Sequence, residues 1–202
     1  MRRSEREVRD FSAMCKILEG CDVLRLGFSE EGGAYIVPVN FGLFCRDGRL
    51  SLYFHGASEG KKAELIKESG AVGFEADRKH ELVRGETACA YSYRYQSVIG
   101  KGRVESISDT EEKKKGLLCI MKHYAPEHGD FSFPDAALSR TAVFRIDVTE
   151  WSAKEHGMRQ TKPRITMRIR KRRACLSNRV GEPHTTICRG RNIESEPIRS
   201  GG

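Results

Sequence analysis

The run Leu50–Leu65, LSLYFHGASEGKKAEL, does most to limit what this chain can become. Leu50, Leu52 and Phe54 alternate with Ser51, Tyr53 and His55, the period of a strand with one buried face. Gly56-Ala57-Ser58 then turns the chain. Ser58 reads as the N-cap of a helix in which Lys61, Lys62, Leu65 and Ile66 fall at helical spacing. A helix start presents unpaired backbone N–H groups and the positive end of its dipole. Two lysines there oppose that dipole, so helix stability does not account for them. The local pattern leaves two readings open: a pair of solvated lysines, or a seat for an anion such as phosphate.

The flanking sequence is rich in short strands. Cys21–Phe28 alternates, with Leu24, Leu26 and Phe28 on one side. Glu30-Glu31-Gly32-Gly33 reads as a hairpin turn, and Ala34–Gly42 as the next strand. Pro38 has no N–H to donate, which predicts an edge, a bulge or a barrel rim for that strand. Arg46-Asp47-Gly48 closes a further hairpin. Ala71–Asp77, Tyr93–Ile107 and Thr141–Trp151 complete a count of six strands. Arg78–Tyr91 reads as an irregular loop, and Gly100 and Gly102 predict a bend or a close backbone approach. Two amphipathic helices are expected, over 10–19 and from Asp109 to about Tyr124. Six mostly antiparallel strands with inserted helices fit a small closed or half-open barrel.

Charge sorts the chain into two parts. Residues 158–202 hold 12 of the 36 basic residues and 3 of the 28 acidic ones, so residues 1–157 carry 24 against 25. The basic character belongs to the tail, and the body gives no reason to expect a nucleic-acid partner. The expected division is a folded domain over 1–157 and a disordered basic tail over 158–202. Seven cysteines, an odd number without a C-x-x-C pair, predict buried free thiols and a cytoplasmic setting. No apolar leader follows the charged start, and no apolar run approaches membrane-spanning length, so no membrane partner is expected.

Five stretches together resemble a known group: VPVNFG (37–42), LYFHGASEGKK (52–62), HELVRGE (80–86), YRYQSVIGKGRVE (93–105) and the closing strand to Trp151. Over roughly residues 5–156 the chain is similar to the FMN-binding split-barrel superfamily, the pyridoxamine 5′-phosphate oxidase-like proteins. Within that group it is most similar to the nitroimidazole-resistance, or Nim-type, proteins. The resemblance implies a mainly β fold with inserted helices: a homodimer of six-stranded antiparallel Greek-key split barrels, with two FMN sites at the subunit interface. Phe54, His55 and Gly56 would line the flavin, and Lys61 and Lys62 would hold its phosphate. Val39, Asn40 and Phe41 would contact the isoalloxazine, and Tyr95 and Ser97 would reach in from the other subunit. His55 matches an active-site histidine of Nim-type proteins, where it would donate a proton or carry an adduct; a near-neutral pKa suits an imidazole to proton transfer. Two departures weigh against oxidation of a pyridoxine phosphate. Pro38-Val39-Asn40 stands where oxidases proper carry a basic residue, and no Arg/His motif follows the last strand.

Two functional classes follow. One is an FMN-dependent oxidoreductase that takes hydride from a visiting NAD(P)H and reduces a small substrate, with nitroaromatic compounds as the family analogue. The other is a non-catalytic module holding flavin or haem, with His55 as an axial ligand in the haem case. His123 and His128 have no partners at metal-ligand spacing, so no metal site is expected. Arg25 between two leucines reads as half of an ion pair, and Trp151 as a core or dimer anchor.

Overall fold

A computed structural model describes residues 3–157 of the 202. The expectation for the tail, 158–202, lies outside the described residues. The strands are β1 (Glu7–Val8), β2 (Leu24–Glu30), β3 (Gly33–Val39), β4 (Phe41–Arg46), β5 (Arg49–Gly56), β6 (Ala71–Val83), β7 (Ser92–Ile107) and β8 (Ala142–His156). The helices are α1 (Phe11–Glu19), α2 (Lys61–Ser69), α3 (Thr110–Tyr124) and α4 (Asp135–Arg140). Every strand pairing is antiparallel, in the order β3-β2-β6-β7-β8-β5-β4, with β1 added beside β8.

That order carries the architecture. β3 and β4 are the two ends of the sheet, yet only Asn40 separates them in the chain. Two peptide units span at most about 7 Å, so the sheet curls until its opposite edges meet at this corner. The corner is pinned. The Phe41 backbone N–H donates to the Tyr124 hydroxyl at 3.1 Å, and that hydroxyl donates to the Asp22 carbonyl at 2.8 Å. Inside the barrel lie Leu24, Leu26, Phe28, Phe41, Leu52, Phe54, Val98 and Ile146, with Met14, Ile17 and Leu18 of α1 among them.

The turns follow their residues. Asp47 and Gly48 both have positive φ, as a two-residue hairpin turn of the mirror-image type requires. Asp10 and Asp109 cap α1 and α3 by accepting from Ala13 and Glu112 N–H groups. The capping carboxylates are worth about 1 kcal/mol each.

Several sequence expectations change. The single strand over 34–42 is two strands broken at Asn40, because the chain there leaves one sheet edge for the other. Among the described residues the six counted strands become seven long ones and the two-residue β1. Pro38 does sit on an edge strand. Ser58 is not the helix cap: α2 starts at Lys61 behind Gly60, whose φ of 95° suits glycine, and no side chain caps it. Residues 78–83, expected to belong to an irregular loop over Arg78–Tyr91, instead continue β6 past a bulge between Arg78 and Glu81. The helix over 135–140 was not foreseen; it is short and held mainly by burying Leu138. β5 is not half-buried. On its second face α3 buries Tyr53 against Ile120 and Val143, while Ser51 stays half-buried and His55 exposed.

Gly100 and Gly102 behave as expected. A Cβ on Gly100 would stand 2.4 Å from the Phe74 ring, and the β7–β8 register shifts between Lys101 and Gly102. Among the described residues, Cys15 and Cys21 are buried free thiols, Cys45 and Cys119 are half-buried and Cys89 is exposed. No helix of the described residues is long and apolar enough to cross a membrane.

Candidate functional site

Gly56 ends β5 and Lys61 begins α2, and around this joint the structure separates the two lysines. Lys61 is committed. Its Nζ lies 2.7 Å from Glu30 Oε2 and 4.9 Å from the centre of the Tyr35 ring, clamping α2 to the β2–β3 hairpin. Lys62 turns the other way, over Gly56. A Cβ on Gly56 would stand 2.3 Å from its Nζ, so the glycine makes room for the amine. The Lys62 Nζ lies 5.4 Å from the Phe54 ring centre and 5.7 Å from that of Phe144. No carboxylate of the described residues pairs with it. Burial holds its pKa below the ordinary lysine value. A partly desolvated ammonium without an anion is costly, and an anion beside it would offset that cost.

Register explains the rest of the cluster. Phe41 faces Phe54 across β4 and β5, and Phe54 faces Phe144 across β5 and β8. Phe54 and Phe144 stack with centroids 5.0 Å apart. Phe41 is fully buried, with its ring 4.5 Å from that of His123. The Phe41 and Phe54 side chains are therefore walls of the core behind the joint. Val39 ends β3 half-buried against the core, and Asn40 is exposed at the corner. His55 is exposed at the end of β5, opposite Val143, and makes no hydrogen bond to a described residue.

Tyr95 and Ser97 stand apart from this group. They alternate along β7 with the buried Gln96 and Val98, which places them on the outer face of the sheet. The Tyr95 hydroxyl accepts from Arg6 at 3.5 Å, and its ring lies 6.1 Å from that of His156. Within one chain the structure thus brings together Gly56, Lys62, Phe54 and, at the corner, Val39 to Phe41, but not Tyr95 or Ser97. The same outer face exposes Ile36, Leu82 and Ile99, each more than half accessible, beside the half-exposed Tyr93.

Arg25, on that face, is ion-paired with Glu75 at 3.0 Å and Asp77 at 2.8 Å, as the sequence predicted. Trp151 packs edge-on against Phe11 at 5.6 Å. Sequence reasoning missed Glu30 and Tyr35, which take Lys61, and Tyr124, which pins the corner. Each acts across 31, 26 and 83 residues of chain respectively, and no local pattern signals such contacts.

The sequence matches the family model described as pyridoxamine 5′-phosphate oxidase over residues 10–155. The chain belongs to this flavin-binding split-barrel family. No curated protein matches it. Among solved structures it is similar to a candidate 5-nitroimidazole antibiotic resistance protein from Bacteroides thetaiotaomicron. The two share 33% identity over 74% of this chain and 86% of the other, with a TM-score of 0.64. Two more distant structures share the fold. One is a flavocytochrome from Azotobacter vinelandii, at 22% identity over 78% of this chain and 72% of that one, with a TM-score of 0.63. The other is an FAD- and haem-binding protein from Mycobacterium smegmatis, at 16% identity over 76% and 74%, with a TM-score of 0.64.

Proposed function

We propose that two copies of this chain bind FMN between them and act as an oxidoreductase on a small electron-accepting substrate, with nitroaromatic compounds as the first class to test. The observation that carries the reading is Lys62: a partly desolvated cation with no carboxylate partner among the described residues, at a strand-to-helix joint, with glycine beneath it and aromatic rings behind. Those features fit a phosphate. Lys62 would take it directly, and Lys61 would act through Glu30 and Tyr35 by fixing the start of α2. Val39, Asn40 and the Phe41 backbone would border the ring. When bound, FMN would supply the electron transfer, accepting hydride from a transient NAD(P)H. His55, exposed and without a hydrogen bond to a described residue, would donate a proton to reduced substrate. Tyr95 and Ser97, on the outer face, would serve the site of the neighbouring subunit, and the exposed Ile36, Leu82, Ile99 and Tyr93 support pairing through that face. The cytoplasm is the compartment we expect.

The test is FMN and riboflavin affinity in Lys62→Ala and Lys61→Ala. Lys62→Ala is expected to weaken FMN at least tenfold and riboflavin little, since only FMN carries the phosphate. Equal losses for both ligands would rule out the phosphate role. Lys61→Ala is expected to weaken FMN less than Lys62→Ala does.

A second reading is a non-catalytic flavin or haem carrier. The exposed, unbonded His55 favours it, as a ready axial ligand. A Soret band in purified or haem-titrated protein, lost in His55→Ala, would support that reading; flavin absorbance with NAD(P)H-dependent bleaching supports the first.

A further inference from the structure

The far end of β5, away from the Gly56 joint, carries a second chamber. It has a volume of about 580 Å³ and lies between the β4–β5 hairpin, α3 and β8. Its floor is Tyr53, which is 99% buried yet makes no hydrogen bond to a described residue. The ring is held rigidly. A Cβ on Gly116 would stand 2.7 Å from Tyr53 Cδ1, and Val143 packs beside it. Burial pushes the phenol up to about 12, so it stays protonated and able to donate.

The charges lining the chamber are unequally matched. Arg145 is ion-paired with Glu112 and Asp147 of the lining and with Glu105 outside it, and Arg46 with Asp47 at 3.3 Å. Arg49 and Lys115 line the chamber without an ion pair among the described residues. The lining therefore holds four cations against three carboxylates. Lys115 Nζ lies 4.1 Å from the centre of the Phe44 ring. Lys115 and Phe44 also line an adjoining cavity of about 540 Å³, walled by Leu43, Leu118 and Pro126. A polar chamber thus abuts a mixed one, apolar along Leu43, Leu118 and Pro126 and polar along Glu19, Lys122 and His123, with Phe44 and Lys115 shared between them.

From this geometry we infer a binding site for a small aromatic carboxylate. Its carboxylate accepts from the Tyr53 hydroxyl and pairs with Arg49 and Lys115, and its ring lies along Phe44 towards Leu43 and Leu118 of the adjoining cavity. The site is separate from the Gly56–Lys62 joint and does not depend on the flavin reading.

The probe is 2-naphthoate, titrated into the full-length protein by calorimetry. Saturable binding is expected in the wild type. Tyr53→Phe, which keeps the ring and removes only the hydroxyl, is expected to weaken it about tenfold, the size of one hydrogen bond to a charged group. Lys115→Ala is expected to weaken it as well, and the neutral isostere 2-naphthamide to bind much more weakly than the acid. No saturation at millimolar probe, equal binding of acid and amide, or unchanged affinity in Tyr53→Phe would each overturn the proposal. Displacement of the probe by FMN would overturn the separateness of the two sites.

Discussion

Gly42 is the most exposing test of this packing. It lies on β4 directly under α3, where a Cβ would stand 2.3 Å from the Cys119 carbonyl carbon, 2.3 Å from Ile120 N and 2.6 Å from the Cys119 oxygen. All three are backbone atoms of a helix interior, so no side chain can swing aside. Gly42→Ala must push α3 off β4, along the whole contact that buries Tyr53 and Ile120. Overpacking of a core costs about 1–3 kcal/mol, and a backbone-on-backbone clash belongs at the upper end, at about 3 kcal/mol. For a domain of this size each kcal/mol moves the melting temperature by about 2–4 °C, so a drop of roughly 6–12 °C is expected. Gly33→Ala is the control: no atom lies within 4 Å of its added Cβ, and its effect should stay within about 0.5 kcal/mol. Urea unfolding of both variants, with the slope checked for constancy, gives the comparison. A Gly42→Ala protein as stable as the Gly33→Ala protein would mean that α3 does not sit on β4 as described.

Three further outcomes follow from named contacts. Tyr124→Phe removes the acceptor of the Phe41 N–H and the donor to Asp22; a loss of about 1–2 kcal/mol is expected by chemical denaturation, and unchanged stability would show that the corner needs no bolt. Lys62 has a folded pKa below its unfolded one, so the unfolded chain binds more protons between the two values and the ligand-free protein gains stability as pH rises towards about 10.4. Lys62→Met should lack that rise, and matching pH profiles for the two proteins would refute the desolvation. Cys89 is exposed, whereas burial raises Cys15, Cys45 and Cys119 and pushes Cys21 up to about 12. Alkylation of native protein, mapped by peptide mass, should therefore mark Cys89 first among residues 3–157, and faster labelling of Cys21 would contradict the packing of α1.

What could be read from the sequence was local. The strand over 50–55 with Leu50, Leu52 and Phe54 turned inward, the Asp-Gly turn and the helix that follows Asp109 are each decided by neighbours in the chain, and the structure shows them where the pattern put them. The break at Asn40 was hidden because both of its strands are apolar and nothing in VPVNFG marks a change of partner. The second face of β5 was hidden for a related reason. Tyr53 is amphipathic enough to pass as a surface residue, and only the arrival of α3, with glycine at position 116, buries it. The two lysines were read as a pair because they are adjacent. Which of them is free depends on Glu30, brought near by a hairpin whose exact placement sequence spacing does not fix.

The division between Lys61 and Lys62 bears on the whole reading of the joint. Adjacent residues at a helix start project about 100° apart, so one of them can face the hairpin while the other faces the sheet end. Lys61 takes the hairpin and is neutralised there; Lys62 is left over Gly56, where among the described residues it meets only aromatic faces, which compensate an ammonium weakly. The first lysine fixes where the helix begins, and so fixes where the second must point. On the proposed function, anion binding then needs no further positioning of Lys62. Tyr95 and Ser97 alternate with the buried Gln96 and Val98 and so sit on the outer face of β7. On the proposed function they would reach the flavin of a neighbouring chain, and FMN binding by a monomer at undiminished affinity would refute that assignment.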